Sequence, residues 1–238
     1  MRLSRFFIDA PLSLGQHSLP DASAHYISRV LRLSAGSAVQ LFDGSGSEFR
    51  GELLEVGKKS VAVELHERLT GMPESPLQIH LGQGLSRGER MDWAIQKATE
   101  LGVTQITPII SERCEVRLND ERADKRLAHW RQIAISACEQ CGRSVLPVIH
   151  PPMSLRDWLP VEADLKLVLH PVAAPLTSHA RPQTLAFLIG PEGGLSESEV
   201  EQAANQGFQP ARLGPRVLRT ETAPVVALSV AQQLWGDF

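Results

Sequence analysis

Two glycine-proline turns near the C-terminus hold the residues best suited to bind a small molecule. The apolar run Leu185-Ala186-Phe187-Leu188-Ile189 ends at Gly190-Pro191-Glu192-Gly193-Gly194, and Gly214-Pro215 leads into Arg216-Val217-Leu218-Arg219-Thr220-Glu221-Thr222-Ala223. Glycines let main-chain N–H and C=O groups approach a ligand, prolines fix the turns, and charged side chains stand at the rim. The sequence has no Gly-x4-Gly-Lys-Ser/Thr loop to cradle a phosphate. Bare amides and carbonyls suit the uncharged edge of an adenine instead.

Other constellations carry less. Gly84-Leu85-Ser86-Arg87-Gly88 has the G-x-S-x-G form of a nucleophile elbow, with Asp157 or Asp164 and then His170 or His179 as conceivable partners. It follows the first strand of its domain, whereas a hydrolase elbow follows several. Gly82, Gly84 and Gly88 miss the dinucleotide spacing by one residue. Cys138-Glu139-Gln140-Cys141 reads as C-x-x-C but closes a helical pattern and has no second ligand pair nearby, so buried thiols are expected rather than a metal or redox site. Arg113, Arg117, Arg122 and Arg126 read as a solvated face or an RNA contact, and Glu139 with Arg143 as a helix-terminal pair.

The elements that position these residues fall into two rhythms. Residues 37–69 alternate with period two, in strands at 39–42, 48–54 and 60–65, with Asp43-Gly44-Ser45-Gly46 as a hairpin turn. A short helix from Pro20-Asp21 precedes them. Residues 70–76, rich in Gly and Pro, read as a linker between a small β-rich domain over 1–70 and a second domain over 77–238. There, strands at 78–81, 103–110, 145–149, 165–169, 185–189 and 211–213 alternate with helices at 89–101, 121–141, 155–159, 196–207 and 223–234. Ser196 and Glu199 form a capping box, and Thr222 is expected to cap the last helix. Such alternation predicts an α/β fold with a parallel sheet, whose ligands lie beyond the carboxyl ends of the strands.

Composition sets outer limits. The chain has 238 residues, 42% hydrophobic and 21% charged, with a net charge of −3 and three cysteines. No apolar run approaches the ~20 residues that span a bilayer. A cytoplasmic protein is expected. The first 70 residues carry eight Lys/Arg and eight Asp/Glu, so the excess acid lies in the remainder. Arg2, Arg5, Arg29 and Arg32 cluster within this neutral part and could form a local basic face.

Both C-terminal turns, in their full sequence, resemble the SPOUT superfamily of methyltransferases, and within it the family that makes 3-methyluridine in bacterial 16S rRNA. The likeness extends to His25-Tyr26-Ile27-Ser28-Arg29-Val30-Leu31-Arg32, Leu41-Phe42-Asp43-Gly44, Gln96-Lys97-Ala98-Thr99-Glu100-Leu101-Gly102-Val103 and Glu139-Gln140-Cys141-Gly142-Arg143. It therefore covers nearly the whole chain.

The resemblance implies an N-terminal PUA-like RNA-binding β-barrel, a SPOUT domain with a C-terminal trefoil knot, and a homodimer acting on 16S rRNA in the small subunit. It implies S-adenosyl-L-methionine held by Leu169, His170, Ile189, Gly190, Pro191, Glu192, Gly193, Leu213, Gly214, Val217, Leu218, Arg219, Thr222 and Ala223, with no metal. The implied substrate atom is N3 of a uridine in the decoding region. Arg219 would stabilise charge on the uracil carbonyls, Glu221 would accept the N3 proton, and Arg143 is a second cationic candidate. An equal alternative pairs Arg219 with Glu221 to hold the loop. Arg2, Arg5, His25, Arg29 and Arg32 would contact RNA. The competing function is a noncatalytic rRNA-binding assembly factor.

Overall fold

In the computed structural model every residue is described except 1–2, 31, 58–59, 117–118 and 177–178. The chain divides into two compact units, residues 1–74 with 138–146, and residues 75–137 with 147–238.

The first unit is built on five strands, β1 (Ser4–Phe7), β2 (Gly15–Ser18), β3 (Ala38–Phe42), β4 (Ser47–Val56) and β5 (Val61–Thr70), in the order β1-β3-β4-β5-β2. β1 pairs parallel to β3, and the other pairs are antiparallel. The alternation of β3–β5 is the expected one, because each strand buries one row of side chains. Val39, Leu41, Phe49, Leu53, Val61, Val63 and Leu65 form the core with Phe6, Ile8 and Ile27. β1 and β2 have no alternation of this length and are not predicted. β5 runs to Thr70, one residue into the expected linker. Helix α1 (Asp21–His25) continues into a π-helical turn, Tyr26–Val30, where Ser28 Oγ donates to the Ala24 carbonyl at 2.8 Å.

The second unit is a seven-stranded parallel sheet. Its strands are β6 (Gln78–Gly84), β7 (Gln105–Ile110), β8 (Val148–Ile149), β9 (Met153–Ser154), β10 (Leu165–Pro175), β11 (Thr184–Ile189) and β12 (Gln209–Arg212). The order is β12-β10-β11-β6-β7-β8, with β9 also on β7. Every β11 residue after Thr184 is buried. Strands covered on both faces read as unbroken apolar runs, as 185–189 does. Helices α2 (Glu89–Glu100), α3 (Asp120–Cys141), α4 (Leu155–Trp158), α5 (Glu197–Asn205) and α6 (Thr222–Trp235) complete the chain.

Several boundaries move. β6 extends three residues past the predicted strand and β10 six, while the strand expected from Val145 starts only at Val148. The Ser196–Glu199 capping box is present, with both reciprocal bonds. Thr222 does not cap α6. The cap position is Glu221, which makes no side-chain capping bond, and the Thr222 amide donates instead to the Arg219 carbonyl at 2.9 Å. Apolar residues hold α6 in place here, with Ala223, Ala227, Leu228, Ala231 and Trp235 buried in the core.

Candidate functional site

Both glycine turns emerge from the carboxyl ends of the parallel strands, one directly after β11 and the other after β12. Together with Leu169 and His170 of β10 they enclose a cavity of about 770 Å3. All the residues expected to hold a cofactor line it except Thr222. Its apolar surface includes Leu169, Leu195, Val200, Leu213, Leu218 and Ala223, and charged groups stand among the main-chain atoms of the turns. Gly214 has φ 114, a conformation that side chains rarely adopt, so the second turn is open to glycine.

Gly84 shows how closely the first turn seats on the sheet. A Cβ there would stand 2.2 Å from the Pro191 nitrogen, so β6 and the turn touch through bare main chain. This is the role of the glycine in the G-x-S-x-G pattern. Ser86 is 1% exposed and donates to the Gly84 carbonyl at 3.1 Å, which leaves it no access to a substrate. The acids suggested for an elbow serve turns: Asp157 sits in the Ser154 cap, and Asp164 accepts the amides of Gln183 and Thr184 at 2.9 and 2.8 Å. The hydrolase reading fails on these contacts.

The electrostatics centre on Arg90, a cavity residue that sequence reading missed. Its Nη1 donates to Glu192 Oε1 at 2.8 Å, and its Nε lies 3.9 Å from Glu221 Oε1. The Arg87 amide donates to the same Glu192 oxygen at 3.2 Å. Burial by itself would raise the Glu192 carboxyl. The bonds from its own amide, Arg90 and Arg87 hold it below the usual carboxylate value instead. Glu221 thus faces Arg90, and the Arg219–Glu221 pair offered as an alternative is not among the ion pairs of the described residues. Arg219 is exposed and lines the cavity. Nothing in the spacing of Arg90 signals this role, since a helix-starting arginine is usually surface.

Thr220 was missed as well. Its hydroxyl donates to the Gly190 carbonyl at 2.9 Å and links the two turns. Arg113 holds the first turn by donating to the Gly193 carbonyl at 3.3 Å, and the neighbouring Glu112 amide donates to Glu199 Oε1 at 2.7 Å. Of the arginines grouped with Arg113 in the sequence, Arg122 is exposed, Arg126 is half-buried, and Arg117 lies outside the described residues.

Arg143 is not in the cavity. It belongs to the first unit, 3% exposed, where its Nε donates to Glu74 Oε1 at 3.2 Å. Glu139 does not pair with it but accepts the Phe7 amide at 3.1 Å, and burial raises its carboxyl. Burial also pushes the Cys138 thiol up to about 12, the opposite of what a metal or redox thiolate needs. Among the described residues, no group of His, Cys, Asp and Glu is arranged to hold a metal ion, and no helix is long and apolar enough to cross a membrane.

The residues expected on RNA separate into two kinds. Arg5 donates to Glu48 Oε1 at 2.6 Å, to the carbonyls of Cys138 and Arg143 at 2.7 and 2.8 Å, and to Ser144 Oγ at 3.1 Å. It also stacks 3.9 Å over the Phe42 ring, so its donors are committed inside the unit and the phosphate contact expected for it is corrected to a structural one. His25, Arg29 and Arg32 are exposed beside Tyr26, which is 40% exposed. Arg32 has φ 52, the one non-glycine residue with positive φ among those described. Arg2 and Leu31 lie outside the described residues.

Comparison with known proteins covers the same ground. Residues 73–232 match the RNA methyltransferase domain family and residues 19–65 the RNA methyltransferase PUA domain. The ribosomal RNA small subunit methyltransferase E of Buchnera aphidicola subsp. Schizaphis graminum is 38% identical over 242 residues, which are 99% of this chain and 98% of that protein. The crystal structure of the enzyme of that name from Neisseria gonorrhoeae, bound to S-adenosyl methionine, superposes with a TM-score of 0.93 at 42% identity over the whole of both chains. A Legionella pneumophila methyltransferase in complex with the bound cofactor SAM gives 0.97 at 40% identity, again over all of both chains. A cavity built from two glycine turns at the strand ends is therefore found in a chain that matches these proteins from end to end, and it belongs to the RNA methyltransferase family of ribosomal RNA small subunit methyltransferase E.

Proposed function

We propose that this protein is an S-adenosylmethionine-dependent methyltransferase that modifies N3 of a uridine in the decoding region of 16S rRNA. One observation carries the reading: the two glycine turns meet around a single cavity of about 770 Å3 at the carboxyl ends of the sheet. The residues suit the cofactor. Exposed main chain at Gly190–Gly194 and Leu213–Gly214 matches an adenine edge, the leucines and Ala223 match its faces, and Glu192 and Glu221 offer negative charge to a cation. When bound, the cofactor supplies a methyl group already activated by its sulfonium.

The chain's own residues then have three tasks. They align the uracil, since alignment is the main contribution to a transfer with a good leaving group. Arg219, exposed at the cavity, stabilises negative charge developing on the uracil oxygens. Glu221 accepts the N3 proton, whose loss makes that nitrogen nucleophilic, and it lies 3.9 Å from Arg90. The reading also includes a trefoil knot, a homodimer and RNA contacts through His25, Arg29 and Arg32. The exposed side chains of Trp93, Leu234 and Phe238 offer apolar surface for the dimer.

Calorimetric titration with S-adenosylmethionine is the first test, and saturable binding is expected. Mass spectrometry of small-subunit rRNA from cells lacking the protein should then show 3-methyluridine missing. Binding without that change would move the target elsewhere, and no binding would leave a noncatalytic rRNA-binding assembly factor. Arg219→Ala should lose about 100-fold in turnover at saturating S-adenosylmethionine. Unchanged turnover removes Arg219 from the chemistry.

A further inference from the structure

Thr220 stands between Arg219 and Glu221, yet it is only 7% exposed. Its hydroxyl donates to the Gly190 carbonyl at 2.9 Å and accepts from Gln83 Nε2 at 3.0 Å. The same amide nitrogen lies 3.4 Å from the Thr220 carbonyl, and Ser86 Oγ lies 3.4 Å from the hydroxyl. One small side chain thus ties together the end of β6, the turn after β11 and the segment that opens α6.

Gln83 adds a second observation. It is 1% exposed, and its Oε1 is buried with no hydrogen-bond partner. Methionine has nearly the same shape and would strand no amide oxygen. A buried group that lowers stability next to a ligand cavity points to the placement of its neighbours. Its neighbours here are the main chain that faces the cofactor site and the pair of side chains that face the substrate.

We propose that Thr220, held by Gln83, is a positioning residue that fixes the spacing between the Gly190–Gly194 main chain and the side chains of Arg219 and Glu221. The inference rests on the methyltransferase reading, because the spacing matters only if a group passes from one side to the other. Neither Thr220 nor Gln83 needs to touch the reacting atoms. Both act by holding two loops at the separation the transfer requires, where small misplacements have large effects on rate.

The test uses the full-length protein with Thr220→Val, Thr220→Ser and Gln83→Met. Thr220→Val should lower kcat about tenfold or more at saturating S-adenosylmethionine, with KM for that cofactor within about threefold of the original. Thr220→Ser keeps the hydroxyl and should recover most of the lost kcat. Gln83→Met should lower kcat in the same direction, and the Thr220→Val, Gln83→Met double variant should be no slower than Thr220→Val alone, because the two residues act as one unit. Wild-type kcat in Thr220→Val, or losses that multiply in the double variant, overturns the proposal. If Thr220→Val does not fold, Gln83→Met carries the rate test, and an unchanged kcat there has the same force. Hydrogen exchange separates this idea from the function it rests on. Residues 188–195 and 213–221 should both exchange faster in Gln83→Met whether or not the protein methylates RNA. Unchanged exchange in both segments alongside an active wild type sinks the positioning role alone, whereas a wild type that neither binds the cofactor nor transfers methyl sinks the function.

Discussion

Arg90 Nη1 lies 2.8 Å from Glu192 Oε1, so the first turn of α2 is tied to the glycine turn that follows β11. The same guanidinium approaches Glu221 at 3.9 Å. One exposed arginine thereby orders two carboxylates that sequence reading treated separately.

Arg90→Ala should release Glu192 and weaken S-adenosylmethionine binding roughly two- to fivefold, the range for a partly exposed ion pair. The difference should shrink as salt rises, because solvent-facing charges are screened. Calorimetric titrations of both proteins at low and high salt check this. Equal affinities at low salt would show that the turn holds its shape without Arg90.

Gly84→Ala places a methyl group 2.2 Å from the Pro191 nitrogen, against main chain that has no rotamer to change. The turn must lift from β6, with a loss of about 1–3 kcal/mol. Thermal unfolding should show a lower midpoint, and the added stabilisation by S-adenosylmethionine should be smaller than in the original protein.

The arginines of the first unit should divide by burial. Arg5 and Glu48 have side chains only 10% and 8% exposed, so Arg5→Ala leaves a buried carboxylate and should lower stability by about 3–5 kcal/mol in urea denaturation. Arg29→Ala and Arg32→Ala should leave the urea midpoint nearly unchanged. Each should weaken rRNA binding and reduce the slope of log affinity against log salt by about 1. Unaltered salt slopes would take these two residues off the RNA.

His80 should make the fold sensitive to acid. It accepts the Trp158 indole N–H at 3.2 Å, sits 2.8 Å from Thr107 Oγ1, and has His150 with its ring centre 5.3 Å away. Burial, and then the charge of His150, push His80 from 6.5 down to about 4. Below pH 6.5 the unfolded chain takes up this proton while the folded one does not. The stabilisation is therefore complete above pH 6.5 and is lost as pH falls toward 4, about 3 kcal/mol in all. Urea midpoints should fall across that window, and less steeply in His80→Gln. An equal slope in the variant would assign the loss to other groups.

Amino-acid order alone determined much of this protein. Period-two alternation marked β3–β5 because each strand buries one face, and the unbroken run at 185–189 marked a strand buried on both. The two glycine turns were legible as a candidate binding site because residues without a side chain, followed by fixed prolines, expose main chain wherever they fold, and the structure brings both to one cavity. Local chemistry also announced the Ser196–Glu199 cap, whose two partners are three residues apart.

Tertiary structure decided what depends on partners far away in the chain. Arg5 and Arg29 look alike in sequence, yet one is enclosed by Glu48 and distant carbonyls and the other is exposed. Arg90 meets Glu192 across 102 positions, and Gln83 meets Thr220 across 137. Side chains this distant in sequence have no periodicity to link them. Only the crossing of strands and turns brings their donors and acceptors within 3 Å, and at that distance hydrogen bonding and burial replace propensity as the forces that set each role.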